Sequence, residues 1–251
     1  MESIGMEKTI AIEGVETCSP IRRYQPSTDI PLPKYLEQTY WWAYLHPNAV
    51  RVFERQWLVN LILWGNFAVL RDAALGEMES PINGNVLQVA CVYGDFSQQV
   101  ARRLGPQGHL DVVDVAPVQL ENLTSKVKDY SNVTLHHRDS TDLGFADDSY
   151  DHVVVFFLLH EQPASARIRT IEEALRVAKP GGKVIFVDYH SPNWFNPFRY
   201  VMIPILTFLE PFALDLWRND IAGWIRKPFR AKKVHKETFF GGLYQKVVVT
   251  V

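Results

Sequence analysis

Five short stretches carry residues whose types and positions could do chemistry. Gln88 to Gly94 in "QVACVYG", Asp114 in "VVDVAP", Asp139 with Ser140 in "RDSTDLG", His160 with Glu161 in "FLLHEQP", and Asp188 with His190 in "FVDYH" each sit at or just past the end of an apolar run. A carboxylate placed like Asp114 can accept both hydroxyls of a ribose. Asp139 is placed to accept from an adenine amino group, and Gly94 lets backbone approach a ligand closely. His160 can shuttle a proton or hold a divalent ion, with Glu161, Asp188 and His190 as further oxygen and nitrogen donors. Acids near helix N-termini are also favoured electrostatically with no ligand present. One such acid therefore says little; an ordered series of them says more.

Elements must position these groups. "NVLQVAC" (85–91), "HLDVVDVA" (109–116), "VTLHHRDS" (133–140), "YDHVVVFFLLHE" (150–161) and "KVIFVDYH" (183–190) read as strands, the fourth apolar on both faces and hence central. Helices are expected at 95–104, from Pro117 onward, and through "SARIRTIEEALRVAKPGG", where Pro180-Gly181-Gly182 stops it. This alternation argues an α/β fold with a mostly parallel sheet and helices on both faces. Ligands then lie outside the carboxyl ends of the strands, where the five stretches fall. Strands four and five would be neighbours roughly 4.8 Å apart, so that His160 and Glu161 converge with Asp188 and His190. "HKETFFGGLYQKVVVTV" reads as a helix end, a turn and a closing strand.

The remaining organisation is coarser. Residues 1–34 read as a weakly ordered arm, 35–75 as a helical cap with Pro47 opening one helix, and 76–251 as the ligand-binding domain. Within that domain, 191–233 reads as an insertion before the closing strands. Its first part, "SPNWFNPFRYVMIPILTFLEPFALDLW", is dense in aromatic and aliphatic residues, and can either lie in a membrane surface or pack as a lid. The basic run "RKPFRAKK" can reinforce attachment to anionic lipid or stay solvated. Trp41, Trp42 and Tyr44 either line a substrate pocket or belong to the core. His136, His137 and His152 are given no specific role. The formal net charge of −2 argues against a nucleic-acid partner. Cys18 and Cys91 are too few for a disulfide framework and read as free thiols. No apolar run approaches the ~20 residues of a membrane-spanning helix. The expected location is cytoplasmic, peripheral to the inner membrane if the source is bacterial.

From about residue 84 to 189 the chain resembles the class I S-adenosylmethionine-dependent methyltransferases. "LQVACVYG", "VVDVAP", "RDSTDLGFADDSYDHVV" and "RVAKPGGKVIFVD" follow that family's motifs in order. The resemblance implies a Rossmann-like fold and S-adenosylmethionine held against Gln88, Ala90, Tyr93, Gly94, Asp114, Val115, Asp139 and Ser140. A nicotinamide-binding protein is disfavoured, because Val92 and Tyr93 would block a pyrophosphate turn that needs small residues.

The departures carry the sharper expectation. In the family an acid faces the ammonium of the cofactor's methionine part; the matching position here is Gln88. Losing a close carboxylate lowers an ammonium pKa, commonly by about 1–3 units, and a neutral amine is a nucleophile. Tyr93 either orients that amine or fills the space of a missing glycine. With "YWWAYLHPNAVRVFERQWLVNLILWGN" upstream, these features resemble a divergent branch of the family, the rhodoquinone-biosynthesis enzymes. That resemblance implies transfer of the cofactor's amino group to ubiquinone in place of a ring methoxy group, with manganese (Mn2+) as the activating ion. On this reading His160, Tyr93 and Gln88 are catalytic, Trp41, Tyr44 and His160 meet the substrate, and His160, Glu161, Asp188 and His190 are the candidate metal ligands. The rival activities are methyl transfer to a lipophilic quinol or phenol, and cofactor binding without turnover in a quinone-synthesis complex.

Overall fold

The computed structural model describes residues 30–225 and 231–251. Cys18, most of the expected N-terminal arm, and residues 226–230 of the basic run lie outside the described residues. The strands are β1 (Asn85–Val89), β2 (His109–Asp114), β3 (Val133–His137), β4 (Tyr150–Phe156), β5 (Ala178–Tyr189), β6 (Lys233–Phe239) and β7 (Tyr244–Thr250). They form one sheet in the order β3-β2-β1-β4-β5-β7-β6, parallel except where β7 runs antiparallel to both β5 and β6. This is the expected Rossmann-like arrangement, with the switch point between β1 and β4.

Each central strand alternates its side chains between two helical layers. On one face Val86, Val112, Val154 and Ile185 pack against α4 (Phe67–Leu75), α5 (Phe96–Arg103) and α6 (Pro117–Val127). On the other, Leu87, Val113, Val153 and Phe186 meet α7 (Ala164–Val177) through Ile171, Ala174 and Leu175. Burying each such aliphatic side chain contributes about 1.5–3 kcal/mol, and burial on both faces fixes the register. Pro117 opens α6 and Pro47 opens α2 (Pro47–Phe53), both at positions whose N–H would be unpaired in any case.

Ahead of the sheet stands the cap: α1 (Lys34–Thr39), a π-helical turn at Trp41–Leu45, then α2, α3 (Gln56–Ile62) and α4. After β5 come α8 (Phe198–Leu209), α9 (Ala213–Arg218) and α10 (Ile221–Trp224). Among the described residues no single helix is long and apolar enough to cross a membrane; α3 and α4 together have the length and composition but meet at 94°.

Three boundaries differ from the sequence reading. The segment expected as a helix end is the edge strand β6, whose residues are mostly exposed and charged and so show no apolar face. Pro180-Gly181-Gly182 lies within β5: α7 already ends at Val177, and the Gly181 N–H bonds to the Val251 carbonyl at 2.7 Å. β4 stops at Phe156 because Phe157 turns into the left-handed region (φ 53), and a 3-10 turn at Leu159–Glu161 follows. His160 and Glu161 therefore lie on a turn beyond the strand.

Candidate active site

The loop from Ala90 to Gly94 keeps the backbone path of a glycine loop although only one residue in it is glycine. Ala90 sits at φ 72, and its N–H bonds to the Val113 carbonyl at 2.9 Å. An alanine held in the left-handed region is strained; the flanking strand pairing holds it there. Gly94 at φ 84 cannot be replaced cheaply, since a Cβ there would come within 2.9 Å of the Phe67 ring. Lys126 donates to the Gly94 carbonyl and pairs with Glu54, tying loop to cap.

Asp114 ends β2 and spans this loop: its carboxylate accepts the Cys91 N–H at 2.7 Å and the Ala116 N–H at 2.8 Å. Burial pushes its pKa up to about 6, even though both amide bonds favour the charged form. Its remaining lone pairs face a narrow cleft lined also by Ala90, Val115, Asp139 and Ser140 and roofed by Tyr35 and Leu36 of α1. Asp139 accepts from the Thr141 N–H at 2.8 Å, and the Ser140 hydroxyl bonds to Thr170 and Gln162. The Val115 carbonyl is held by His137 Nε2 at 3.0 Å, so this histidine shapes the cleft wall. These residues fit S-adenosylmethionine: Asp114 offers a carboxylate at the ribose position, and the 90–94 loop turns tightly beside it.

A larger space opens beside the cleft. It offers about 470 Å³ within walls from Trp42, Phe53, Trp64, Val92, Tyr93, Phe157, Met202 and Leu206, with His160, Glu161 and Glu210 as its acidic and basic groups. Tyr44, Cys91, Phe157 and Glu161 line both spaces, so cleft and cavity share a wall. The size and apolar walls suit a ring-bearing lipophilic ligand.

The turn after β4 places His160 in the cavity wall, next to Glu161 of the shared wall. Its Nδ1 lies 2.9 Å from Asp188 Oδ1, close enough for an ion pair though poorly aligned for a hydrogen bond. Its backbone N–H donates to Asp188 Oδ2 at 3.2 Å, and its Nε2 is 3.8 Å from Glu161. Burial opposes the imidazolium, but the Asp188 carboxylate outweighs it, with help from Glu210 and Glu161, and the pKa stands at about 9. Burial pushes the Glu161 carboxyl up, and the neighbouring Glu210 adds to the shift. At neutral pH the site thus presents a proton donor next to a carboxyl that resists ionisation.

Tyr93 is a clip between loop and cap. Its hydroxyl donates to the Ala43 carbonyl at 2.7 Å and accepts from Gln119 at 2.8 Å, while its ring stacks on Tyr44 at 5.7 Å and on Phe53 at 5.9 Å. Of the two alternatives raised for it, filling the space of a glycine is the one these contacts describe. Gln88 is fully buried and its amide donates to the Ala90 carbonyl at 3.0 Å; its side chain braces the loop from beneath and lines neither space.

Three expectations need correction. Trp41 is 54% exposed and does not line the cavity, whereas Tyr44 and Trp42 do, because the π-helical turn rotates Trp41 outward. His190 does not join His160: its ring bonds to the Gly242 carbonyl at 2.8 Å and to Lys236 at 2.9 Å, on the β6–β7 side. Asp188 spends its oxygens on His160 and on the Tyr189 N–H. Among the described residues no three His, Cys, Asp or Glu side chains group so as to hold a metal ion. The expected manganese ligand set does not fit, and no step below runs through a metal. His136 and His152 pair with Asp111 and Glu79, each at 2.7 Å, away from the site.

The sequence reading missed Glu210, Tyr40 and Arg167. Glu210 follows α8 and reaches the cavity beside Tyr40. The fully buried Arg167 donates to the carbonyls of Leu159 and Gln162, fixing the His160 turn. An arginine in the first turn of a helix that follows a strand-end histidine was the available signal.

Comparison with known proteins agrees with this geometry. The family described as "Methyltransferase domain" matches residues 86–182. A demethylmenaquinone methyltransferase of Listeria welshimeri is 39% identical over 127 residues, which is 47% of this chain and 53% of that protein, so the match spans about half the relative's length. The enzyme of the same name from Bacillus velezensis is 31% identical over 164 residues, covering 64% of this chain and 69% of the relative. Among solved structures, a SAM-dependent methyltransferase from Aquifex aeolicus superposes with a TM-score of 0.54 at 18% identity, over 82% of this chain and all (100%) of that one. The N-methyltransferase NodS from Bradyrhizobium japonicum, in complex with S-adenosyl-L-homocysteine, gives 0.51 at 15% identity, over 72% and 83%. Both structural likenesses concern the fold. With the strand order, the Asp114 cleft and these relatives, the chain belongs to the class I S-adenosylmethionine-dependent methyltransferase family.

Proposed function

We propose that this protein uses S-adenosylmethionine as an amino donor and acts on ubiquinone, replacing a ring methoxy group to give rhodoquinone. This is the activity implied by its resemblance to the rhodoquinone-biosynthesis enzyme RquA. The carrying observation is the His160–Asp188 pair, whose imidazole lines the apolar cavity next to Glu161 of the wall shared with the cleft. Addition of an amine to a quinone asks for an acid at the ring carbonyl, and His160 is held in its acid form at neutral pH. Gln88 bears on the same reading only through the loop it braces: it lines neither space, and as an amide it puts no negative charge beneath the loop that would favour a charged amine.

With S-adenosylmethionine in the cleft, its amine would form the new ring C–N bond as the ring loses its methoxy group as methanol. The bond from that nitrogen to the cofactor's α-carbon would then have to break, with a proton delivered to the nitrogen, to leave the free amino group. The chain does the rest. Asp114 holds the ribose, Tyr93 and Tyr44 fix the cap against the loop, and His160 Nε2 donates toward the carbonyl oxygen while Asp188 keeps the imidazolium charged. The shared wall brings donor and ring within reach.

Methyl transfer to a quinol is a second reading, favoured by the named activity of the relatives. It asks for a base at the quinol hydroxyl, which His160 supplies poorly until the pH approaches 9. The test is a pair of incubations, one with ubiquinone and one with a quinol carrying a free ring hydroxyl, each with S-adenosylmethionine labelled with nitrogen-15 at the amine, with and without manganese, read by mass spectrometry. Labelled product about 14 mass units lighter, from exchange of the methoxy for a nitrogen-15 amino group, supports amino transfer. Product about 14 units heavier and unlabelled overturns it in favour of methylation. Cofactor binding with no product overturns both in favour of a non-catalytic role.

A further inference from the structure

The cavity beside the cleft is walled by residues that are also exposed on the outside of the protein. Leu61 and Ile62 of α3 and Ile205 and Leu209 of α8 line it, yet Leu61 is 61% exposed and Leu209 48%. The cavity mouth therefore opens within an apolar face. Trp57, Trp194 and Phe208 extend that face at 61%, 77% and 83% exposure. The two parts are in contact: Trp64, just after α3, meets Phe198 of α8 at 4.7 Å and donates to the Met202 sulfur at 3.3 Å. Single exposed apolar residues need no explanation, but a contiguous patch of this kind marks an interaction surface.

The charges bordering the face identify the partner. Across residues 200–209 of α8 there is no ionisable group except the Tyr200 phenol. In the segments 51–62 and 194–218 that build the face, the acids are paired or buried. Glu54 pairs with Lys126 and Asn122, Glu210 has a buried carboxyl oxygen, and Asp215 leans on Arg167 at 3.9 Å. The basic residues Arg51, Arg55 and Arg218 are exposed. A second copy of the chain would set this cationic rim against its own image, which is unfavourable. An anionic lipid surface would meet the rim with opposite charge and accept the aromatic and aliphatic side chains without specific complementarity.

We propose that the face built by α3, Trp194 and α8 seats on an anionic lipid surface, so that the cavity mouth opens into the acyl layer and a lipophilic ring enters without crossing water. The entry route rests on the quinone reading above; the seating itself does not. Phe198 is no part of it, since it packs inward on Trp64 and Phe240.

The full chain is mixed with quinone-free vesicles of phosphatidylcholine, with and without phosphatidylglycerol, and bound protein is measured by sedimentation. Binding to the anionic vesicles that weakens with salt is expected. W57S/F208S, both exposed positions, should lower partitioning by about tenfold or more while leaving the melting temperature unchanged. Quenching of tryptophan fluorescence by brominated lipid gives a second readout. No vesicle binding, or equal binding of the double variant, overturns the proposal. So does a concentration-dependent dimer that the double variant abolishes. Vesicle binding without amino transfer leaves the seating standing and removes the quinone reading alone.

Discussion

Replacing Asp188 with asparagine isolates the charge that keeps His160 protonated. The side chains are 6% and 1% exposed and lie 2.9 Å apart, so solvent screens the pair little. At an effective dielectric constant of about 20 their attraction is about 6 kcal/mol as an upper bound, and a single neighbouring carboxylate typically moves a pKa by about 1–3 units. A fall of about 2 units would take His160 from about 9 to about 7. At about pH 8 its protonated fraction would drop roughly tenfold, and at about pH 6 hardly at all. The rate of labelled product formation in D188N should therefore match wild type near pH 6 and fall about tenfold near pH 8. Stability gives an independent readout. The folded protein binds this proton more tightly than the unfolded chain, so the stabilisation is full below about pH 6.5 and lost as pH rises to about 9. The wild-type loss over that window is about 3 kcal/mol, and the loss in D188N should be clearly smaller. An unchanged alkaline limb, with the His160 ring still titrating near 9 by NMR, would refute the assignment.

Other substitutions address the remaining parts of the site. Gln88→Glu should restore a carboxylate beneath the loop and depress amino transfer at least severalfold; unaltered turnover would dispose of the amine argument. Asp114→Asn leaves one of its two backbone amides facing another donor, so affinity for S-adenosyl-L-homocysteine should drop by tenfold or more in calorimetry, and a wild-type dissociation constant would contradict its ribose role. Tyr93→Gly removes two hydrogen bonds and two ring contacts between loop and cap, and should cost about 2–4 kcal/mol by denaturant unfolding. A loss under about 1 kcal/mol would show that the cap is held by other contacts.

The parallel core was legible because its strands are apolar on both faces and its strand ends carry acids and glycine in a fixed order. Asp114, Asp139 and the 90–94 loop could be placed from that pattern alone. β6 could not, because Lys233, His235, Lys236 and Glu237 on an edge strand leave no apolar alternation to detect. The end of β4 was hidden for the opposite reason: "FFLLHE" stays buried or half-buried through the strand and the following turn, so hydrophobicity marks no boundary. The pairing of His160 with Asp188 followed from strands four and five being neighbours. Glu210 is brought in by α8, 22 residues beyond Asp188, and no local spacing encodes that return. His190 was misplaced because a residue past the end of β5 can turn to either side of the sheet.

Arg167 gives the site a mechanical property. Besides holding the His160 turn through Leu159 and Gln162, its guanidinium donates to the Phe212 carbonyl, between α8 and α9, at 2.9 Å. One buried cation thus bolts the catalytic turn to the segment behind the exposed apolar helix. Lifting that segment strands a donor in a group whose Nη1 already has no hydrogen-bond partner, at about 1–3 kcal/mol. Helix and histidine are therefore latched: whatever steadies the segment after α8 from outside also steadies the turn that carries His160.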